Sequence, residues 1–149
     1  MLTETLKKLF NRDLKKLRFE IESYQHEPNI WRTAHQITNS AGNLCLHLIG
    51  NLNTYIGATL GGSGYIRNRE LEFSLKDIPQ KELLKLIDET IIVVDRTLDK
   101  IQPEQLDLTY PLLVFEEKTS TAFFLIHLTT HLTYHTGQIN YHRRLLDRG

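Results

Sequence analysis

TAFFLIHLTTHLTYHTGQINYHRRLLDRG, at residues 121–149, is the stretch that decides the fold. Ser120 is a typical N-cap residue, so the stretch predicts a helix from Thr121 to about Asp147. The same helix carries three histidines at intervals of four residues: His127, His131 and His135. One segment therefore predicts both the longest helix of the chain and a candidate site.

Three further segments place apolar residues at helical spacing. The first runs from Leu2 to about Tyr24. The second follows a capping pair at residues 39–40 and runs to about Leu60. The third runs from Gln80 to about Ile101. With the last helix, these segments predict an all-α chain of four long helices.

Long connectors separate these helices. Residues 61–79, GGSGYIRNRELEFSLKDIP, lack a strong helical pattern and predict a crossover rather than a tight hairpin. Residues 103–119 form a second connector, in which residues 112–115 predict a short extended stretch. We therefore expect a four-helix bundle with a long crossover between helices two and three, as a single domain over residues 1–149.

Composition excludes several classes of function. Eighteen basic and 18 acidic residues balance, so the chain lacks the positive charge of a nucleic-acid-binding protein. No stretch reaches the roughly 18 apolar residues that a membrane span needs, and the N-terminus does not resemble a signal peptide. Cys45 is the single cysteine, which favours a reducing cytoplasm. We expect a cytoplasmic protein that binds neither nucleic acid nor membrane.

The histidines of the last helix point to metal chemistry. His131 and His135 lie four residues apart, roughly 40° around a helix, so both imidazoles can reach one point. His47 lies in the apolar stretch LCLHLIGNL (residues 44–52), where an imidazole is costly unless its nitrogens find partners. A three-histidine site would leave open positions on a metal ion. The alternative is a polar seam in which each imidazole bonds to a carbonyl group or to water.

Other catalytic motifs are absent from the sequence. Leu132 stands where a zinc protease of the His-Glu-x-x-His type carries its glutamate. There is no Gly-rich phosphate loop and no Gly-x-Ser-x-Gly elbow. The sequence therefore identifies no catalytic residue beyond the candidate metal ligands.

Two blocks resemble a known superfamily. The first is NSAGNLCLHLIGNL at residues 39–52, followed by IGA at residues 56–58 and RNRE at residues 67–70. The second is the HLTYHTGQI block at residues 131–139. Together, at this separation, they resemble the DinB/YfiT-like superfamily, and most closely its uncharacterised DinB-like branch. The resemblance extends over nearly the whole chain.

The resemblance implies a divalent metal ion in a four-helix bundle that is often a homodimer. Carried over by position, the metal ligands are His47, His131 and His135. Asn51 and Gln138 are pocket candidates, with helix-packing hydrogen bonds as the alternative role.

Three more residues have open roles. His127 lies outside the usual triad and is a further pocket candidate. Arg67 and Arg69 lie in the crossover and either bind an anionic group or form salt bridges that hold the crossover in place.

Some relatives in the superfamily are similar to transferases or isomerases that use a thiol such as bacillithiol, mycothiol or glutathione. The resemblance thus implies a thiol-dependent S-transferase or isomerase that acts on a small-molecule substrate. Imidazole ligands suit zinc, nickel, iron or manganese. A metal-dependent hydrolase is one alternative, although no carboxylate accompanies the histidines of the last helix. The other alternative is a non-catalytic bundle, in which a metal ion links helices two and four or the histidines bind nothing.

Overall fold

The structure is a computed structural model that describes residues 1–148. Five α-helices lie within this range: α1 (Leu2–Glu22), α2 (Ala41–Leu52), α3 (Arg69–Ser74), α4 (Gln80–Lys100) and α5 (Thr121–Leu146). Short 3₁₀-helices span Glu27–Trp31 and Pro103–Asp107. The described residues contain two isolated β-bridges but no strand. The predicted all-α class is confirmed, and the extended stretch expected at residues 112–115 does not form a strand.

The second helix ends differently from the prediction. Its α-helical part stops at Leu52, and the chain continues as a π-helix over Asn53–Ala58. The amide group of Thr59 donates to the carbonyl oxygen of Thr54, five residues back, at 3.0 Å. The helical path still comes within two residues of the expected end at Leu60, because a π-helix only widens the turn.

The crossover is more ordered than its sequence suggests. Residues 61–79 contain α3, which the sequence did not predict, and the Asn68 side chain caps its start. Asn43, buried on α2, donates to the carbonyl oxygens of Glu72 and Leu75, each at 2.9 Å. Lys76 donates to the same side chain at 2.7 Å. The crossover is therefore bound to α2 by polar contacts that a periodicity argument does not detect.

Helices α1 and α2 each pack against both α4 and α5. Their shared interior consists of aliphatic side chains with at most 2% exposure, among them Leu14, Leu17, Leu48, Leu52, Leu83, Ile87, Leu128 and Leu132. Burial of each such side chain contributes roughly 1.5–3 kcal/mol. This packing places α2 and α5 face to face, which positions the histidines of both helices.

No helix in the described range combines the length and apolarity that a bilayer crossing requires.

His142, on α5, is a buried imidazole outside the predicted site. Its Nε2 lies 2.8 Å from the carbonyl oxygen of Arg32, and its Nδ1 lies 2.6 Å from the hydroxyl group of Tyr24. Burial lowers the pKa of His142, which favours its neutral form. Because a carbonyl oxygen only accepts, Nε2 of this neutral ring carries the proton and donates, and the tyrosine hydroxyl donates to Nδ1.

We expect the metal-free protein to lose stability as pH falls below about 6.5, the unfolded-state histidine pKa. The folded-state pKa of His142 is lower than this value, so the unfolded chain binds more protons than the folded chain at acidic pH. Each histidine of this kind lowers the free energy of unfolding by up to about 1.4 kcal/mol for each unit by which the pH falls. The nearby charge of Asp147 opposes the shift and that of Arg32 favours it.

The free energy of unfolding, measured with urea between pH 5 and 8, checks this expectation. His127, His131 and His135 also have lowered pKa values and add to the wild-type slope. His142→Gln should reduce the slope of unfolding free energy against pH by the contribution of one histidine. Parallel curves for the two proteins would contradict the assignment.

Candidate metal centre

Three imidazoles from two facing helices meet at one point. His47 lies on α2 and is buried, and His131 and His135 lie one turn apart on α5 and are half-buried. Their ring centroids are 4.5–5.3 Å apart, and each pair of rings is steeply inclined, at 73–89°. The structure therefore brings together the three histidines that the sequence analysis selected.

The ring nitrogens have a spacing that suits a metal ion. Nε2 of His47 lies 3.2 Å from Nε2 of His131, and one nitrogen from each of the three rings falls within 4.8 Å of the others. Tetrahedral coordination with metal–nitrogen bonds of about 2.1 Å requires nitrogen–nitrogen separations of about 3.4 Å. Small side-chain rotations therefore suffice for all three histidines to bind one ion.

The tautomer of His47 is set by Glu72. Oε1 of this buried carboxylate lies 3.0 Å from Nδ1 of His47. Arg67 donates to both carboxylate oxygens, at 2.8 and 3.0 Å. Burial raises the pKa of Glu72, but hydrogen bonds from His47 and Arg67 and the Arg67 charge outweigh it and hold the pKa below its usual value. The ionised carboxylate only accepts, so Nδ1 of His47 carries a proton, and Nε2 is the nitrogen left to bind an ion.

His135 is oriented in the same way by Gln138. Its Nδ1 lies 2.7 Å from Oε1 of Gln138, so Nδ1 donates and Nε2 keeps the lone pair. Burial lowers the pKa of His135 against the opposing effect of this hydrogen bond. Gln138, a predicted pocket residue, therefore lies behind a candidate ligand.

His131 has no such outer partner. Its Nδ1 is buried, and no hydrogen-bond partner for it lies among residues 1–148. Burial, followed by the nearby imidazoles of His135 and His47, lowers the pKa of His131 to about 4. Its ring is therefore neutral at physiological pH and free to offer a lone pair.

The convergence of these lone pairs explains why the cluster suits a cation. Two nitrogens 3.2 Å apart that each carry a lone pair repel each other unless a proton or a metal ion lies between them. Without an ion, the neutral His131 ring places its one proton on Nε2 and donates it to Nε2 of His47, while the lowered pKa of His131 opposes the second proton of a charged ring. A divalent ion with neutral imidazole ligands satisfies all three nitrogens at once.

The remaining predicted residues have different surroundings. His127 packs edge-on against Phe115, with ring centroids 4.7 Å apart, and its ring lies 6.3 Å from that of His131, outside the three-histidine group. Asn51 is buried on α2, one turn after His47, and its Oδ1 has no partner in the described part of the chain. Asn51 therefore does not make the packing hydrogen bond through Oδ1 that was its alternative role.

The two crossover arginines differ in role. Arg67 forms the ion pair with Glu72, so the salt-bridge alternative holds for it. The Arg69 guanidinium lies over the ring of Phe73, 5.8 Å from the centroid, and Phe73 packs against His47.

Glu72 is a residue of the site that the sequence did not indicate. It lies 25 positions from His47, in a connector without a strong helical pattern and away from the helix that carries the other histidines. The available signal was the Asn68 cap followed by the short acidic segment RELEFS (residues 69–74), which indicates a helix start.

The family model described as "Protein of unknown function (DUF1572)" matches residues 3–149. The chain belongs to the DUF1572 family. A crystal structure of a conserved protein from Enterococcus faecalis is similar, with a TM-score of 0.77 and 14% identity, over 97% of this chain and 96% of that chain. At this identity the likeness shows the fold alone. No curated protein matches the sequence.

A cleft of about 520 Å³ opens beside the histidine cluster of this DUF1572 protein. His135 and Gln138 form part of its wall, and Ile37, Tyr134 and Tyr141 are among the other lining residues. The lining includes no Asp, Glu, Lys or Arg. Its volume and largely uncharged wall are typical of a small-molecule site.

Gly50 makes the contact between Glu72 and α2 possible. A methyl group added at Gly50 would overlap the Glu72 carboxylate. We expect Gly50→Ala to cost roughly 1–3 kcal/mol of unfolding free energy, because the carboxylate must move away from His47.

A double-mutant cycle with Glu72→Ala checks this prediction by urea unfolding. With the carboxylate removed, Gly50→Ala should be neutral or stabilising, since alanine is the better helix former. Additive effects would show that Gly50 does not serve this contact.

Proposed function

We propose that this protein is a metal-dependent enzyme that holds one divalent ion with His47, His131 and His135. The observation that carries the proposal is the convergence of their ring nitrogens, two of them fixed as lone-pair carriers by Glu72 and Gln138. We further propose that the four long helices form a four-helix bundle of the DinB/YfiT-like type. The packing of α1 and α2 on both α4 and α5 supports this assignment.

The small number of protein ligands favours catalysis over a structural role. Structural zinc sites normally have four protein ligands, whereas catalytic sites have three and an open position. His127, the remaining histidine of the four-residue repeat on α5, packs on Phe115 and lies outside the group. The adjacent cleft, which His135 helps to line, would receive a small molecule.

The protein's own groups favour an external nucleophile. Glu72, the carboxylate beside the cluster, is occupied by His47 and Arg67, so it is a poor general base. Cys45 is fully buried, and burial raises the pKa of its thiol to about 12. A bound divalent ion would lower the pKa of a thiol or water molecule that reaches it.

We therefore favour a thiol-dependent S-transferase or isomerase that acts on a small molecule in the cytoplasm. The uncharged cleft beside His135 would accommodate the thiol or the substrate. The homodimer stays a prediction, which light scattering tests: a molar mass of two chains supports it and that of one chain contradicts it.

Metal content tests the site first. Zinc-reconstituted, tag-free protein should contain about one ion per chain by elemental analysis. His47→Ala, His131→Ala and His135→Ala should each lose it, because two imidazoles bind far more weakly than three. His127→Ala is the matched control and should retain the ion, since His127 lies outside the group. Wild-type protein without metal would contradict the proposal.

A second arm of the experiment tests the thiol. The cobalt-substituted protein should develop a sulfur-to-metal charge-transfer band when 2-mercaptoethanol is added, because this small thiol fits any open position. Absence of the band, with hydrolysis of 4-nitrophenyl acetate that depends on the metal, would favour the hydrolase instead. Absence of both would favour a non-catalytic bundle.

A further inference from the structure

Two buried polar atoms without partners belong to α2 and α5, the helices whose histidines meet in the cluster. One is Nδ1 of His131, and the other is Oδ1 of Asn51, whose residue is 6% exposed. Neither has a hydrogen-bond partner within residues 1–148. Buried polar atoms are rarely left unpaired, so each requires an explanation.

The two atoms have complementary chemistry. If Nε2 of His131 binds a cation, its Nδ1 must carry the proton and requires an acceptor. Metal-ligating histidines almost always donate this proton to a carboxylate, a carbonyl oxygen or water. Glu72 and Gln138 serve His47 and His135 in this way, and the amide oxygen of Asn51 is an unused acceptor on the helix that carries His47.

The register of the two helices brings Asn51 to the level of His131. His47 faces His131 and His135, and eight residues later Tyr55 faces Phe124, with ring centroids 5.2 Å apart. The helices therefore run antiparallel, and Asn51, midway between His47 and Tyr55, lies opposite the turn that precedes His131. Side chains of a helix tilt toward its N-terminus, so the His131 ring leans toward this turn.

We propose that Asn51 is the positioning residue of His131. When the site holds a metal ion, its Oδ1 accepts the Nδ1 proton of His131, after a side-chain rotation or through one bridging water molecule. Each of the three imidazoles then has its own acceptor: Glu72, Gln138 and Asn51. This inference rests on the proposed metal site and assigns to Asn51 a role that packing alone does not require.

Zinc affinity of the metal-free protein, measured by titration against a competing chelator, tests the proposal. Asn51→Leu has a similar volume and no acceptor, and it should raise the Kd for zinc about 10- to 100-fold. The melting temperature of the metal-free variant should be unchanged or higher, because an unpaired buried amide has been removed. Asn51→Asp restores an acceptor and should restore the wild-type Kd.

Thr136→Val is the matched control. Like Asn51→Leu, it removes a buried oxygen that lacks a partner among the described residues and keeps nearly the same side-chain volume. It leaves the proposed acceptor for His131 in place. Its Kd for zinc should equal that of the wild type. Asn51→Ala repeats the measurement with a smaller side chain if Asn51→Leu does not fold, as judged by circular dichroism.

A second readout separates positioning from general stability. In the zinc-loaded wild type, the Nδ1 proton of His131 should be visible and protected from exchange in ¹H–¹⁵N spectra, and it should be lost in Asn51→Leu or Asn51→Ala. An unchanged Kd and an unchanged proton signal in these variants would overturn the role of Asn51 and leave the metal site intact. Failure of the wild type to bind zinc would overturn the metal site itself, and the role of Asn51 with it.

Discussion

The hydrogen bond between Glu72 and His47 is the interaction on which the candidate site depends. Burial of a carboxylate is costly unless charges and hydrogen bonds compensate, and here Arg67 and His47 supply them. Gly50 leaves the space that the carboxylate occupies, and Asn43 binds the backbone of the crossover on the same helix. The crossover is thus a structural part of the site, because it determines which nitrogen of His47 faces the other two imidazoles.

Burial and neutrality act together in this cluster. Burial lowers the pKa values of His131 and His135, and the ring nitrogens of the three histidines meet where a divalent ion has the distances it needs. The nearby cleft lacks charged side chains, whereas the Arg67–Glu72 ion pair contacts the cluster itself through His47. An ion in such a site would lower the pKa of a thiol or water molecule that reaches it, and this effect needs no catalytic carboxylate from the protein.

The sequence predicted the elements that depend on local periodicity. The ends of α1, α4 and α5 fall within two residues of the predicted ends, because apolar spacing and the Ser120 cap define them locally. The same periodicity selected His131 and His135 as neighbours on one helix face. His47 was selected from its place in the apolar stretch of residues 44–52 together with the family resemblance, since no local pattern states which helix faces which.

The parts that the sequence did not predict depend on contacts between distant segments. Helix α3 is six residues long, and its position depends on Asn43 and on the Glu72 ion pair as well as on its own propensity. His127 shares the periodicity of the other two histidines, but about 40° of drift per step turns its ring toward Phe115. Periodicity thus identified the face of α5, and the tertiary packing selected which members of the stripe converge.

The most direct test of the central claim is a crystal structure of the zinc-loaded protein with anomalous data at the zinc edge. We predict one peak about 2.1 Å from Nε2 of His47, His131 and His135, with water or another small molecule in the fourth position. A fourth protein side chain on the ion, or a peak elsewhere with the three imidazoles unligated, would contradict the account.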